Sequence, residues 1–235
     1  GRLGPGAGEE IAAHLLAASG AAGVILDLRG RGGTDPLAVV PVASLFRCPG
    51  DALFNVRNGR GEAVATQTAL PGLQTAGPPL MVLVDNHTAG TAELLDAVLK
   101  GCRGVLVVGE ATRGDGRLRE LFPLPDGRMV WLAVGEFEVQ PGGAYRGRGV
   151  APDVVVPPIG DAPAVVAAEN GGLWRSKPPS AKTLEDRELM WQVAADPGLQ
   201  RATDVLLGLR ALGSHAEPDR RTDRRTPTVS RTRSH

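Results

Sequence analysis

Short apolar runs alternate with amphipathic stretches through most of this chain. Three runs, at 24–28, 80–84 and 105–108, consist mainly of Val, Leu and Ile without an alternating polar position. Such continuous runs are typical of parallel strands that are buried on both faces. Over 89–100 apolar residues recur at helical spacing, and Gly101 follows as a helix-ending residue. Strands and helices that alternate in this way predict an α/β fold with a mainly parallel sheet.

The remaining pattern adds helices and hairpins around this core. We predict these further elements from periodicity and turn residues: helices at 9–18 and 36–46, a strand at 154–156, and hairpins that join 53–57 to 62–68 through Asn58-Gly59 and 118–124 to 129–134 through Pro125-Asp126-Gly127. Together with the parallel strands they make up one layered domain over 1–159.

The composition changes after this domain. Residues 160–182 are rich in Pro, Gly and Ala, which indicates a linker. A capping box at 183–186 and the pair Asp196-Pro197 each predict the start of a helix, so we expect a helical extension over 183–213. Residues 214–235 are rich in Arg, Thr and Pro and almost without apolar side chains, which predicts a disordered basic tail.

Charge and cysteine content narrow the functional classes. The 26 basic and 26 acidic residues are interspersed, and this balance disfavours nucleic acid or a membrane surface as a partner. No apolar run approaches the roughly 20 residues of a transmembrane helix. Cys48 and Cys102 lack the spacing of metal ligands; they either pair or, as we favour, remain two core thiols. We therefore expect no metal site, and nothing in the sequence indicates an oligomeric state.

Four sequence motifs point to a family. They are Ile-Leu-Asp-Leu-Arg-Gly-Arg-Gly-Gly at 25–33, Asp-Asn-His-Thr-Ala-Gly-Thr-Ala-Glu-Leu at 85–94, Val-Gly-Glu-Ala-Thr-Arg-Gly-Asp-Gly at 108–116 and Gly-Val-Ala-Pro-Asp-Val at 149–154. In this order, and at the ends of predicted strands, they resemble the glycine loop, nucleophile elbow, lysine loop and closing motif of the C-terminal processing (tail-specific) serine peptidases. The resemblance extends over about 9–157.

The resemblance implies a spiral-like sheet–helix core of the ClpP/crotonase-like type, followed by the helical extension. It also implies polypeptide substrates, no cofactor, and a location outside the cytoplasm, although we find no signal peptide or PDZ domain in the chain. Because the sequence opens on Gly1 rather than Met, we expect a fragment whose targeting segment and upstream domains lie outside it.

The catalytic positions are where this chain departs from the family. Members use a serine whose hydroxyl is activated by a lysine with a lowered pKa. The serine lies three residues before a glutamate, here Glu93, and that position holds Gly90. The lysine lies between two glycines of the lysine loop, where this chain has Asp115. The resemblance therefore implies that both catalytic side chains are absent, and no serine occurs between Ser44 and Ser176.

Substitute side chains flank the vacant serine position. Thr88 and Thr91 carry hydroxyls. His87 precedes Thr91 by four residues, so at a helix start the two side chains could meet. Asp85 or Asp115 would then orient the histidine. We favour the simpler interpretation that Thr88 caps the helix with its hydroxyl.

The backbone part of the family's machinery needs no particular side chain. The amides of Gly32, Gly33 and Thr91 correspond to its oxyanion hole, and they could serve a transition state or bind a carboxylate. A tight turn that requires a positive φ explains the glycines equally well. We also expect a polypeptide to add as a strand along 80–84 and 129–134. This binding should depend little on salt, because the motifs carry little net charge.

Two functions follow from these observations. One is a degenerate peptidase that binds polypeptide tails, or assembles with partners, without cleaving. The other is a working hydrolase that uses an unconventional nucleophile: Thr88, Thr91 or a bound water. We favour the first, because the only lysine of the domain, Lys100, lies about 15 Å along the helix from the serine position, too far away to act as a base.

Overall fold

The computed structural model describes residues 2–46, 52–71, 78–157 and 184–215, apart from positions 5, 19 and 141. The strands are β1 (Arg2–Leu3), β2 (Val24–Asp27), β3 (Gly32–Gly33), β4 (Ala52–Arg57), β5 (Ala63–Thr68), β6 (Leu80–Val84), β7 (Val105–Gly109), β8 (Arg117–Pro123), β9 (Met129–Val139), β10 (Gly143–Ala144) and β11 (Val154–Val155). The helices are α1 (Ala7–Ala17), a 3₁₀ turn (Pro36–Ala38), α2 (Val39–Ala43), α3 (Gly90–Lys100), α4 (Leu184–Ala195) and α5 (Pro197–His215). The fold is α/β, as the sequence predicts.

A parallel sheet in the order β11-β7-β6-β2 forms the centre of the molecule. β6 lies between β2 and β7, and all five of its residues are buried. Leu80, Val82 and Val84 belong to the main core with α3. Met81 and Leu83 belong to a second core with α5. Burial on both faces explains the continuous apolar run. Because both edges of β6 are paired, the prediction that a peptide adds as a strand along it is wrong.

An antiparallel sheet in the order β10-β9-β4-β5 carries the β8–β9 hairpin. β4 pairs with β9 only from Glu136 to Val139, whereas β8 pairs with it from Met129 to Glu136. The hairpin therefore extends past the end of β4, and the edge of 129–135 that faces away from β8 has no strand partner among the described residues. Large apolar side chains are exposed on this hairpin: Leu121, Phe122, Leu124, Met129, Trp131 and Leu132.

The helical extension packs on the side of the parallel sheet opposite α3. From α5, the residues Leu199, Ala202, Val205 and Leu206 contact the second core. Asp196 caps this helix, since its carboxylate accepts hydrogen bonds from the backbone N–H groups of Gly198 and Leu199 at 2.9 and 3.1 Å.

A two-point ion pair joins the start of α5 to the glycine loop. The guanidinium of Arg29 donates to the two carboxylate oxygens of Asp196 at 2.9 and 2.6 Å, and it also donates to Asp27. The bond from Arg29 holds the pKa of Asp196 below its usual range, although burial opposes this. The loop after β2 is thus tied to a helix that lies far away in the sequence.

Most predicted elements are confirmed, with differences at their ends. The predicted helix 36–46 begins as a 3₁₀ turn, because Pro36 follows Asp35 and the Asp35 side chain accepts from the Leu37 N–H. The last helix continues to His215, two residues past the predicted end. The predicted linker 160–182 and nearly all of the predicted tail lie outside the described residues, so the domain boundaries stay predictions.

Of the two cysteines, Cys102 lies within the described residues. Cys102 is buried, and its thiol contacts the carbonyl oxygen of Val98 at 3.4 Å. Cys48 lies outside the described residues. Whether the two thiols pair therefore stays a prediction.

Candidate functional site

The turn between β6 and α3 is organised by the carboxylate of Asp85. It accepts hydrogen bonds from the backbone N–H groups of Gly30, at 3.0 and 3.1 Å, and of His87, at 3.1 Å. Burial acts to raise the pKa of Asp85, but the bonds from Gly30, Thr88 and His87 outweigh it and leave the pKa lowered. An ionised Asp85 therefore joins the glycine loop to the turn.

Thr88 holds this turn from inside. Its side chain is buried, its hydroxyl accepts from the Asp85 N–H at 3.1 Å, and the hydroxyl proton can go to the Leu28 carbonyl at 3.1 Å or to Asp85 Oδ1 at 2.9 Å. The N-cap of α3 is Ala89, which has no side-chain cap. The prediction that Thr88 caps the helix is wrong, because its hydroxyl points back to the strand ends.

Gly90 is the first residue of α3 and has a φ of 58°. A Cβ atom built on Gly90 would lie 2.3 Å from the carbonyl oxygen of Gly33. No real Cβ approaches an oxygen so closely, and a left-handed φ is itself unfavourable for a residue with a side chain. The glycine loop thus fills the space beside Gly90, and a side chain there would require the loop to move.

The glycine loop itself is a short strand. Gly32 and Gly33 pair with Arg2 and Leu3 of β1 in parallel. The atom of this loop that lies nearest to the Cβ direction of Gly90 is a carbonyl oxygen, which repels an anion, whereas an oxyanion hole needs N–H groups. The assignment of the amides of Gly32, Gly33 and Thr91 to an oxyanion hole stays a prediction.

The structure does not bring His87 and Thr91 together. The side chain of His87 is 79% exposed, and its Nδ1 lies 4.0 Å from Asp85 Oδ2. Thr91 is 4% exposed and packs against Gly33. Among the described residues the Thr91 hydroxyl has no hydrogen bond to a histidine or a carboxylate. The hypothetical Thr–His pair is therefore not formed.

The lysine loop folds onto α3 through Glu93. This glutamate is fully buried, and it accepts hydrogen bonds from the Thr112 hydroxyl and from the backbone N–H groups of Gly114 and Asp115. Glu93 lies one turn after Gly90 on α3, so it links Gly90 and Asp115, the two positions that the resemblance assigns to the family's serine and lysine.

Asp115 is held by an arginine. Its carboxylate forms a two-point ion pair with Arg119, with both N–O distances at 2.7 Å. The bond from Arg119 lowers the pKa of Asp115 against the effect of burial, and the charges of Arg117 and Arg113 lower it further. A carboxylate in this state stays ionised at neutral pH and is a poor acceptor for a hydroxyl proton.

A small cavity lies beside Gly90, between the glycine loop, the start of α3 and β8. Its volume is about 40 Å³. The residues that line it include Gly33, Gly90, Thr91, Arg117, Arg119 and Phe137. The sequence does not single out Arg117 and Arg119, because they alternate along β8 with Leu118 and Glu120, a pattern typical of an ordinary exposed strand.

Two further polar groups, the side chains of Asp96 and Tyr145, do not stand out in the sequence but are buried in the structure. Asp96 on α3 is fully buried, and neither carboxylate oxygen has a hydrogen-bond partner in the described chain; the buried Tyr145 hydroxyl also has none. Burial raises the pKa of Asp96 to about 8, against the attraction of Lys100. Lys100 itself binds Asp153 of the closing motif at 2.9 Å and does not line the cavity.

Neither a metal site nor a membrane span emerges from the part of the chain that the structure describes. No group of three or more His, Cys, Asp or Glu side chains is arranged to hold a metal ion there. None of the helices there has the length and apolar character needed to cross a bilayer.

Comparison with known proteins places this geometry in a family. Residues 6–156 match peptidase family S41. The carboxyl-terminal-processing protease of Synechocystis sp. is 33% identical over 146 residues, which cover 62% of this chain and 33% of the relative. The chloroplastic carboxyl-terminal-processing peptidase 1 of Arabidopsis thaliana is 33% identical over 145 residues, which cover 61% of this chain and 29% of the relative.

Comparison with solved structures gives a match of the same kind. The photosystem II D1 C-terminal processing protease superposes with a TM-score of 0.54 at 31% identity, covering 64% of this chain and 38% of the other. The chain thus spans about a third of the length of the curated relatives it matches. The family match over 6–156 includes the strands β2 to β11, the turn between β6 and α3 and the loops described above. The chain belongs to peptidase family S41.

Proposed function

We propose that this S41-family domain binds polypeptide tails and does not cleave them. The observation that carries the proposal is the pair of residues, Gly90 and Asp115, at the positions that correspond to the family's serine and lysine. Gly90 offers no side chain and faces the carbonyl oxygen of Gly33, while Asp115 offers an ionised carboxylate bound to Arg119. The names of the relatives, which are processing peptidases, supply the class of ligand.

The chemistry of the site supports the absence of cleavage. Acyl transfer in a serine–lysine site needs a hydroxyl and a base that takes its proton. The hydroxyl of Thr88 is already bound to backbone groups and to Asp85. Within the part of the chain that the structure describes, the hydroxyl of Thr91 makes no hydrogen bond to a basic side chain, and the ammonium group of Lys100 is bound to Asp153. Neither hydroxyl therefore meets the requirement.

The free edge of β9 supports the binding of a polypeptide. Over 129–135 the backbone groups on the edge away from β8 have no strand partner among the described residues. This segment is uncharged, and Met129, Trp131 and Leu132 are each about half exposed. An unprotected, apolar edge is the kind of surface to which an extended peptide adds as a further strand. The sequence-based expectation for 129–134 is therefore kept, whereas the one for β6 is not.

Cleavage is tested with a serine-directed fluorophosphonate and an unstructured polypeptide substrate. We expect no labelling and no cleavage above background. Covalent labelling of the Thr91 or Thr88 hydroxyl would overturn the proposal and favour a hydrolase with an unconventional nucleophile.

Binding is tested by calorimetry with peptides that have apolar C-terminal residues. We expect a dissociation constant in the micromolar range, which corresponds to about −8 kcal/mol. The variant Trp131→Ala should weaken binding several-fold, since it removes exposed apolar surface beside the free edge. Leu207→Ala on α5 is the matched control, because Leu207 is similarly exposed and lies on a helix. Equal effects of the two variants would contradict binding at β9.

The proposal includes a location outside the cytoplasm, which rests on the family resemblance alone. Fractionation of cells that produce the full-length protein tests it. Recovery of the protein in the cytoplasmic fraction would contradict this part of the proposal and leave the binding function untouched.

A further inference from the structure

We propose that the cavity beside Gly90 binds a carboxylate, namely the α-carboxylate at the C-terminus of a bound polypeptide. The inference rests on the proposed function and names the part of the ligand that this site recognises. Its basis is the cavity wall that β8 provides. Arg117 and Arg119 both line the cavity, and a guanidinium is the side chain best suited to bind a carboxylate through paired hydrogen bonds.

Positive charge exceeds negative charge around this cavity. Arg113, Arg117 and Arg119 all act on the carboxylate of Asp115. Glu93, which contacts the loop at Gly114 and Asp115, is buried and its oxygens accept three hydrogen bonds. Glu136 lies opposite Arg117 in the β8–β9 pair, but its carboxylate binds Arg146. Among the described residues four arginines thus stand near three carboxylates, and a bound anion would balance the remaining positive charge.

The arginines differ in their availability. Both terminal nitrogens of the Arg119 guanidinium donate to the carboxylate of Asp115. The guanidinium groups of Arg113 and Arg117 make no ion pair or hydrogen bond with any residue that the structure describes. Of these two only Arg117 lines the cavity. Arg117 is thus the cation that can meet an incoming carboxylate, while Arg119 is already paired with Asp115.

The size of the cavity favours the end of a chain over its middle. The cavity is small, at about 40 Å³, so it suits a terminal group better than a length of polypeptide chain. A carboxylate fits this space. The walls also include Leu118 and Phe137, which are apolar and would contact the last side chain of the peptide. The site therefore matches a polypeptide that ends in an apolar residue.

The start of α3 adds to the attraction. The helix is 11 residues long, begins at the cavity with Gly90 and Thr91, and has no side-chain cap on its first N–H groups. Its dipole places partial positive charge at this end. The same surroundings that make the site unsuited to a proton-accepting base suit it to a bound anion.

The test compares two forms of one peptide by calorimetry with the unmodified protein. The peptide ends in apolar residues and carries either a free C-terminal carboxylate or a C-terminal amide. We expect the free acid to bind about tenfold more tightly, because hydrogen bonds to a charged group contribute roughly that factor. Its affinity should fall as salt rises, and the affinity of the amide should change little. This expectation differs from the one drawn from the sequence, which was little dependence of binding on salt.

Three variants locate the effect. Arg117→Gln should reduce the affinity for the free acid to that for the amide, and Arg117→Lys should retain part of the preference. Arg128→Gln is the matched control, because Arg128 is an exposed arginine at the hairpin turn, paired with Asp126 and away from the cavity. It should leave both affinities unchanged. Thermal melts of all three variants check that they are folded.

The outcomes separate the two proposals. Equal binding of acid and amide would overturn the carboxylate site and leave polypeptide binding intact. An acid preference that survives Arg117→Gln in a folded protein would also overturn it. Binding of neither peptide at millimolar concentration would refute the proposed function, and the inference with it.

Discussion

Asp96 gives the sharpest test of how this core is built. It lies in the middle of α3 with no exposed surface, and neither of its oxygens has a hydrogen-bond partner among the described residues. Burial raises its pKa to about 8; Lys100 opposes the rise, and the charges of Asp153 and Glu93 add to it. Asp96 is therefore protonated in the folded protein at neutral pH, whereas in the unfolded chain it is ionised.

This difference makes stability depend on pH in a definite direction. An aspartate in an unfolded chain has a pKa of about 3.9. Between that value and the folded pKa of about 8, the folded state binds the proton and the unfolded state does not. The free energy of unfolding therefore falls as pH rises through this window. At about 1.4 kcal/mol per pH unit, the loss by pH 8 is on the order of 5 kcal/mol.

The variant Asp96→Asn removes this loss, because an amide has nearly the same shape and releases no proton. It also buries an amide without partners, which costs about 1–3 kcal/mol. We expect the variant to be less stable than the unmodified protein near pH 4 by about that amount. By pH 8 it should be more stable by roughly 2–4 kcal/mol, the difference between the two effects.

The assay is urea unfolding at a series of pH values from 4 to 8. Other titrating groups act on both proteins, so only the difference between the two curves is interpreted. Tyr145→Phe is the matched control: its hydroxyl is buried and also lacks a partner, and burial raises its pKa well above the usual value, so it releases no proton in this range. That variant should shift stability equally at every pH. Parallel curves for Asp96→Asn and the unmodified protein would refute the reasoning.

Three further predictions concern the elbow and its attachments. Gly90→Ala should lower the free energy of unfolding by about 2–4 kcal/mol, because of left-handed backbone strain and contact with the Gly33 carbonyl. The control Gly59→Ala, which adds a methyl group in open space, should change the free energy of unfolding by less than about 0.5 kcal/mol. Equal values for the two variants would show that the glycine loop moves at little cost. Thr88→Val should cost about 1–3 kcal/mol by leaving backbone groups unpaired, without altering peptide affinity, and weakened binding in a folded variant would contradict this purely structural role. A double-mutant cycle between Arg29→Ala and Asp196→Ala should give a coupling of roughly 1 kcal/mol in urea unfolding, and additivity would mean that the ion pair contributes nothing.

The sequence by itself determined the elements and the family. Continuous apolar runs predicted the strands β2, β6 and β7, because a parallel strand buried on both faces can accept nothing else. Helical spacing predicted α3, and turn residues predicted both hairpins. Four motifs in the right order were sufficient for the family, since each occupies a strand end whose local conformation depends on its own few residues. Each of these features depends on a short stretch of sequence, so the pattern of residues within that stretch is sufficient to predict it.

Only the tertiary structure decided which groups meet. Arg29 binds Asp196 across 167 positions of sequence, and no local pattern relates the two. Gly33, which pairs with Leu3 of β1, also approaches Gly90 so closely that no side chain fits there. Asp96 is an acidic residue among the apolar positions of α3, yet the folded chain buries it completely. Burial, the pKa shift it causes and the meeting of separate charges all depend on what a distant segment places beside a residue, so they emerge only when the chain is folded.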